Sequence, residues 1–172
     1  MTRNLTASAV LVALVVLSAS AAFAGTTYDE FTGRRVTMMD EQVAIVGFGQ
    51  SLVDPDNRTA YLKLGKIEKD GEPTLYALSV FVSGKRFLFQ EQVFVKADEK
   101  VFDVEAKTKD RDVVSGGITE SSLYPVSAEQ LREMAGANSL KIRVRGDRGL
   151  MESEIKPKGM KKLQEWVQAN VD

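Results

Sequence analysis

Cysteine and histidine are both missing from this 172-residue chain. Without histidine there is no imidazole general base, no Ser-His-Asp triad and no Cys-His pair. Without cysteine there is no disulfide, no thiolate nucleophile, no lipid on a cleavage-site cysteine and none of the common structural zinc motifs. Proline is scarce, at 4 residues, and no proline-rich linker, repeat or low-complexity tract divides the chain. An excess of one charge is lacking too: 23 Lys plus Arg stand against 24 Asp plus Glu. That balance argues against nucleic-acid binding driven by bulk electrostatics. Phosphate cradles are also absent, because neither Gly47-Phe48-Gly49 nor Gly116-Gly117 leads from a strand into a helix at dinucleotide or P-loop spacing. No cofactor is expected.

What is present is ordinary globular composition, with 44% hydrophobic and 27% charged residues. Residues 1–24 read as a signal peptide. Arg3 supplies the positive start, Ala9 to Ser18 the apolar stretch, and Ala22-Phe23-Ala24 a small-x-small cleavage site, so the mature chain begins at Gly25. The competing reading is an uncleaved anchor, because residues 7–24 nearly suffice to span a bilayer. The expected destination is the periplasm or the extracellular space, with a fold independent of disulfide formation. Removing the leader takes away Arg3 and no acid, leaving 22 basic residues against 24 acidic ones. Residues 25–57 hold 2 basic and 6 acidic groups, whereas 141–172 hold 8 and 5. The remaining 148 residues make one domain.

Strand patterns dominate that domain. Residues 25–42 are polar and mixed, an N-terminal arm. Val43 to Phe48 is a short apolar strand, and Asp54-Pro55-Asp56-Asn57 is a turn leading to a strand over Arg58 to Ile67. Leu75 to Val82 is apolar on both faces and reads as a central strand. Ser83-Gly84-Lys85 predicts a hairpin into Arg86 to Ala97, with Gln90-Glu91-Gln92 marking a bulge or an exit from the core. Asp98-Glu99 turns into Val101 to Lys107, whose Phe102, Val104 and Ala106 share one face; Thr108 to Gly117 reads as a surface loop. Ser127 and Gln130 have capping-box spacing before a helix with Leu131, Met134 and Ala135. Leu140 to Arg145 and Leu150 to Lys156 form a hairpin around residues 146–149, and Met160, Leu163, Val167 and Val171 stripe a terminal helix with Trp166 at its rim. The fold class is α+β: a mostly antiparallel, meandering sheet of about six strands with two C-terminal helices packed on it.

Candidate chemistry is sparse. Lys141, Arg143 and Arg145 share one face of a strand, and Arg148 follows in the turn; together they are a candidate anion or partner surface. The same residues also fit a salt-bridged ribbon, with Arg143 opposite Glu152 and Lys141 opposite Glu154. Asp54, Asp56 and Asn57 lack the glycine and the twelfth-position Glu of a calcium loop, so no metal site is expected. Glu91, Glu105 and Glu120 are carboxylates of the kind a glycosidase pairs, and Ser79, Ser83 and Lys85 gather near one turn. The mid-chain aromatics, Tyr61, Tyr76, Phe81, Phe87, Phe89, Phe94 and Phe102, read as core.

These features favour an exported, non-catalytic binding or accessory domain of the bacterial cell envelope. Its expected partner is an envelope protein or an anionic envelope polymer, with no disulfide partner. Two other readings stand beside it: a small hydrolase working through a carboxylate pair, and a membrane-tethered periplasmic domain.

Overall fold

Period-two alternation of side chains builds strands, and the computed structural model holds eleven of them with two helices among the residues it describes, 25–46, 58–114 and 116–172. The strands are β1 (Gly25–Asp29), β2 (Arg34–Met38), β3 (Val43–Val46), β4 (Thr59–Glu68), β5 (Leu75–Gly84), β6 (Gln90–Ala97), β7 (Lys100–Glu105), β8 (Thr108–Val114), β9 (Gly117–Val126), β10 (Leu140–Gly146) and β11 (Gly149–Glu154). Helix α1 spans Ala128–Gly136 and α2 spans Pro157–Asn170. Residues 1–24, Gly47-Phe48-Gly49 and the turn expected at 54–57 lie outside the described residues.

The class is α+β and every described strand pair is antiparallel. Instead of about six strands in one meander, there are two sheets. The large one runs β1-β2-β4-β5-β9-β8, with β3 also paired to β4, and the small one runs β11-β10-β6-β7. Between them lies the main core, where Leu62, Leu64, Leu78, Val80 and Tyr124 meet Val93, Val95, Ile142, Val144 and Met151. Leu131 and Met134 of α1, and Met160, Leu163, Trp166 and Val167 of α2, belong to the same core. Trp166 is therefore buried rather than at a rim.

The expected hairpin between 75–82 and 86–97 does not form. β5 pairs with β4 and β9, while β6 crosses into the small sheet. The reason is a backbone account balanced by two side chains. Buried Arg58 donates from Nε to the Arg86 carbonyl (2.9 Å) and from Nη2 to the Phe87 carbonyl (3.2 Å). Buried Glu120 accepts from the Leu88 N–H (2.9 Å) and the Phe89 N–H (2.8 Å). With those groups satisfied, segment 85–89 needs no strand partner. The bulge at Gln90–Gln92 is present: Arg145 faces Gln92 and Gly146 faces Gln90, which leaves Glu91 as the extra residue. Gly146 is required there, since a Cβ would overlap the Leu88 and Phe89 carbonyl oxygens.

Two other segments differ from expectation. Residues 25–38 are not a loose arm but the hairpin β1–β2, whose turn is held by Asp29 accepting from the Phe31 N–H (3.0 Å) and the Thr32 hydroxyl (2.6 Å). Residues 108–114 are the strand β8 on the edge of the large sheet, where Lys109, Asp110, Arg111 and Asp112 discourage further pairing. Its partner β9 is masked in the sequence by Thr119, Glu120, Ser121 and Ser122 and by Pro125. The Leu123 carbonyl faces the β8 side, accepting from the Lys107 N–H (2.8 Å), and Pro125 points the same way beyond the end of β8. No ladder bond is lost to it there.

Candidate functional site

β10 is an inner strand of the small sheet, and its Lys141, Arg143 and Arg145 are all exposed on the face away from the core. Registers 143 to 152 and 141 to 154 are as expected, and Arg143 Nε donates to Glu152 Oε2. Across β6, Lys141 faces Lys96 and Arg143 faces Phe94, and β7 beyond contributes Asp103 and Glu105. The four cations Lys96, Lys141, Arg143 and Arg145 thus share a surface with Glu152, Glu154, Asp103 and Glu105. A shallow cavity of about 210 Å³ between Phe94, Lys96, Val101, Lys141, Arg143 and Glu152 lies on it. Arg148 is not beside them. Its guanidinium stacks 4.9 Å from the centre of the Phe89 ring, which Arg111 approaches to 4.8 Å. The surface is a neutral checkerboard with one member diverted.

The candidate acids are dispersed as well. Glu105 is exposed on β7, Glu91 sits half-buried in the bulge, and Glu120 is enclosed at the crossover. Both oxygens of Glu120 are occupied, by the 88–89 amides and by Arg111 Nε at 3.1 Å. This carboxylate holds backbone rather than a substrate proton. Ser83 shares a hydrogen bond with the Thr59 hydroxyl (2.7 Å). Ser79 is placed not near Lys85 but opposite Lys63, its direct register partner on β4.

That last pairing opens a site the sequence did not suggest. Residues in register across the large sheet point to the same side, so its face away from the small sheet can be read in rows. One row holds Tyr61, Phe81, Ser121 and Asp110; the next holds Lys63, Ser79, Leu123 and Thr108. Then come Met38, Gly65, Ala77 and Pro125, and finally Val36, Ile67 and Leu75. The face passes from hydroxyl and ammonium groups at one end to a run of apolar groups toward the other, where Arg34 and Glu72 border it. Val36, Met38, Ile67 and Leu123 form a second core there, separate from the main one. Leu123 joins it although β5 intervenes, because only the small Gly65 and Ala77 lie between it and Met38.

The middle of the face is enclosed: Ser79 is 1% exposed, Ser121 9% and Lys63 5%. Among the described residues, Ser79 Oγ, Ser121 Oγ and Thr108 Oγ1 have no hydrogen-bond partner, and Lys63 has no carboxylate within 4 Å. A cavity of about 290 Å³ opens at the apolar end beside Ile67, Leu75, Ala77 and Pro125, and one of about 180 Å³ at the polar end beside Phe81, Asp110 and Ser121. No family model and no curated protein matches this chain. The site therefore stands on its own chemistry. One cation and a set of hydroxyl donors beside an apolar floor can hold an amphiphile. Among the described residues no cluster of three or more Asp or Glu residues is arranged to hold a metal ion, and no helix is long and apolar enough to cross a membrane.

Proposed function

We propose that this protein is an exported, non-catalytic binding or accessory domain of the cell envelope, and that the outer face of the large sheet is its binding surface. One observation carries the reading: buried hydroxyls of Ser79 and Ser121 without partners, on the same face as the enclosed Lys63. A buried polar atom left unpaired costs about 1–3 kcal/mol, and native chains seldom carry several on one surface without a use for them. The binding class is further favoured over the hydrolase by Glu120, whose oxygens are committed to the crossover.

The test is direct. Protein recovered from the periplasm is weighed by mass spectrometry under denaturing and native conditions. A denatured mass starting at Gly25 and a heavier native mass are expected, with the adduct extractable into organic solvent. An envelope extract added back to the stripped protein then raises its melting temperature. If Met1 is retained, the tethered reading replaces the exported one. If no adduct is found and the extract leaves the melting temperature unchanged, the binding reading falls.

A further inference from the structure

The rows of the large sheet specify more than a surface, and the following rests on the binding reading above. We infer that the site takes a single-chain amphiphile with an anionic head group, a carboxylate or phosphate on one acyl chain. The head lies at Lys63, with the hydroxyls of Ser79 and Ser121 donating to its oxygens, and the tail runs over Ala77, Met38 and Ile67.

Three features converge on that ligand class. Lys63 is the cation in the enclosed part of the face, and no described carboxylate reaches it. The other buried cation on this side, Arg34, is at the opposite end and is already approached by Glu72 at 3.9 Å. An anion placed at Lys63 therefore meets a charge that is not already neutralised, together with donors that lack acceptors. Second, the polarity is graded. Beyond the Lys63 row the floor is Gly65, Ala77 and Pro125, small residues without polar side chains, with Met38, Val36 and Ile67 beside them. A sugar would leave that floor with little apolar contact. Third, the length is finite. Four residues separate Lys63 from Ile67, about 13 Å along the strand. With carbon–carbon bonds of about 1.5 Å in a zigzag, that holds an acyl chain of on the order of ten carbons. The 290 Å³ cavity at Ile67, Leu75 and Pro125 takes the chain end.

The experiment displaces a fluorescent fatty-acid probe, dansyl-undecanoate, from the stripped periplasmic protein. Dodecanoate, dodecyl phosphate, dodecanol, acetate and inorganic phosphate compete in parallel. The first two are expected to displace the probe, dodecanol to be weaker by about ten- to a hundredfold, and the two chainless anions to be inert. Lys63→Met keeps the long apolar stem and loses the charge; it should weaken dodecanoate by a similar factor and leave dodecanol unchanged. Ser79→Ala, which removes an unpaired buried hydroxyl and should not unfold the protein, weakens dodecanoate less. Equal displacement by dodecanoate and dodecanol overturns the inference, as does Lys63→Met binding dodecanoate like the parent. If no amphiphile displaces the probe while envelope extract still stabilises the protein, the ligand class is wrong and the binding reading survives. If the extract also fails, both fall.

Discussion

Asp98 occupies a left-handed backbone conformation, φ 51°, at the tip of the β6–β7 hairpin, where Asp is one of the few side chains that rest comfortably. Its carboxylate uses the position. It accepts from the N–H of Asn138 (3.1 Å) and of Ser139 (2.9 Å), while its own N–H donates to the Ser139 carbonyl (2.9 Å). One side chain thereby ties a turn of the small sheet to the connection between α1 and β10. Hydrogen bonds from the Ser139 and Asn138 amides hold the Asp98 carboxyl below its ordinary value of 3.8. A folded-state value below the unfolded one means the ionised form favours folding. That contribution is fully present above pH 3.8 and is lost as the pH falls through the lowered folded value. Urea titrations of the parent and of Asp98→Asn across a pH series should show a constant gap in stability at neutral pH that narrows in strong acid. A gap independent of pH would mean that the charge plays no part.

The β10–β11 ribbon and the Glu120 strand show which elements a sequence discloses. A tight turn at 146–149 leaves a single sensible register, so Arg143 opposite Glu152 follows from counting. The capping box is equally local: Ser127 Oγ accepts from the Gln130 N–H (3.0 Å) and Gln130 Oε1 from the Ser127 N–H (2.9 Å). β9 could not be read in this way, because its polar residues are buried for reasons that lie on other strands. Lys63 and Ser79 become neighbours only through the β4–β5 register, and nothing local marks either as part of a site. For the ribbon the expectation is quantitative. Arg143 and Glu152 are both well exposed, so a double-mutant cycle should give a coupling of at most about 1 kcal/mol. Because carboxylates flank the basic strand on both sides, the quadruple alanine variant of Lys141, Arg143, Arg145 and Arg148 should elute from a heparin column with the parent. Earlier elution of the variant at low salt would restore the anion surface.

Two sheets that share one core and exchange the chain three times, at 85–89, at 106–107 and through α1 between β9 and β10, should unfold together. The chain passes to the small sheet through 85–89 and returns at 106–107, where the Ala106 N–H still bonds the Glu91 carbonyl (2.7 Å) and the Lys107 N–H already bonds Leu123 (2.8 Å). Glu120 sits at the first crossing. It extends from β9 of the large sheet to the amides of Leu88 and Phe89, and Phe89 is held at φ 57°, a costly conformation for an aromatic residue. Removing the carboxylate leaves two amides without acceptors and the Arg111 guanidinium without its partner. Glu120→Ala should therefore cost about 2–4 kcal/mol. Glu120→Gln retains one acceptor oxygen and should cost less. The single tryptophan, Trp166, reports from α2 within the main core, while far-ultraviolet circular dichroism reports on the strands. In the parent and in both variants the two signals should fall at one urea midpoint with an unchanged slope, because neither sheet can keep its buried face without the other. A Glu120→Ala protein whose fluorescence and dichroism separate into two transitions would show that the crossover, rather than the common core, is what couples the sheets.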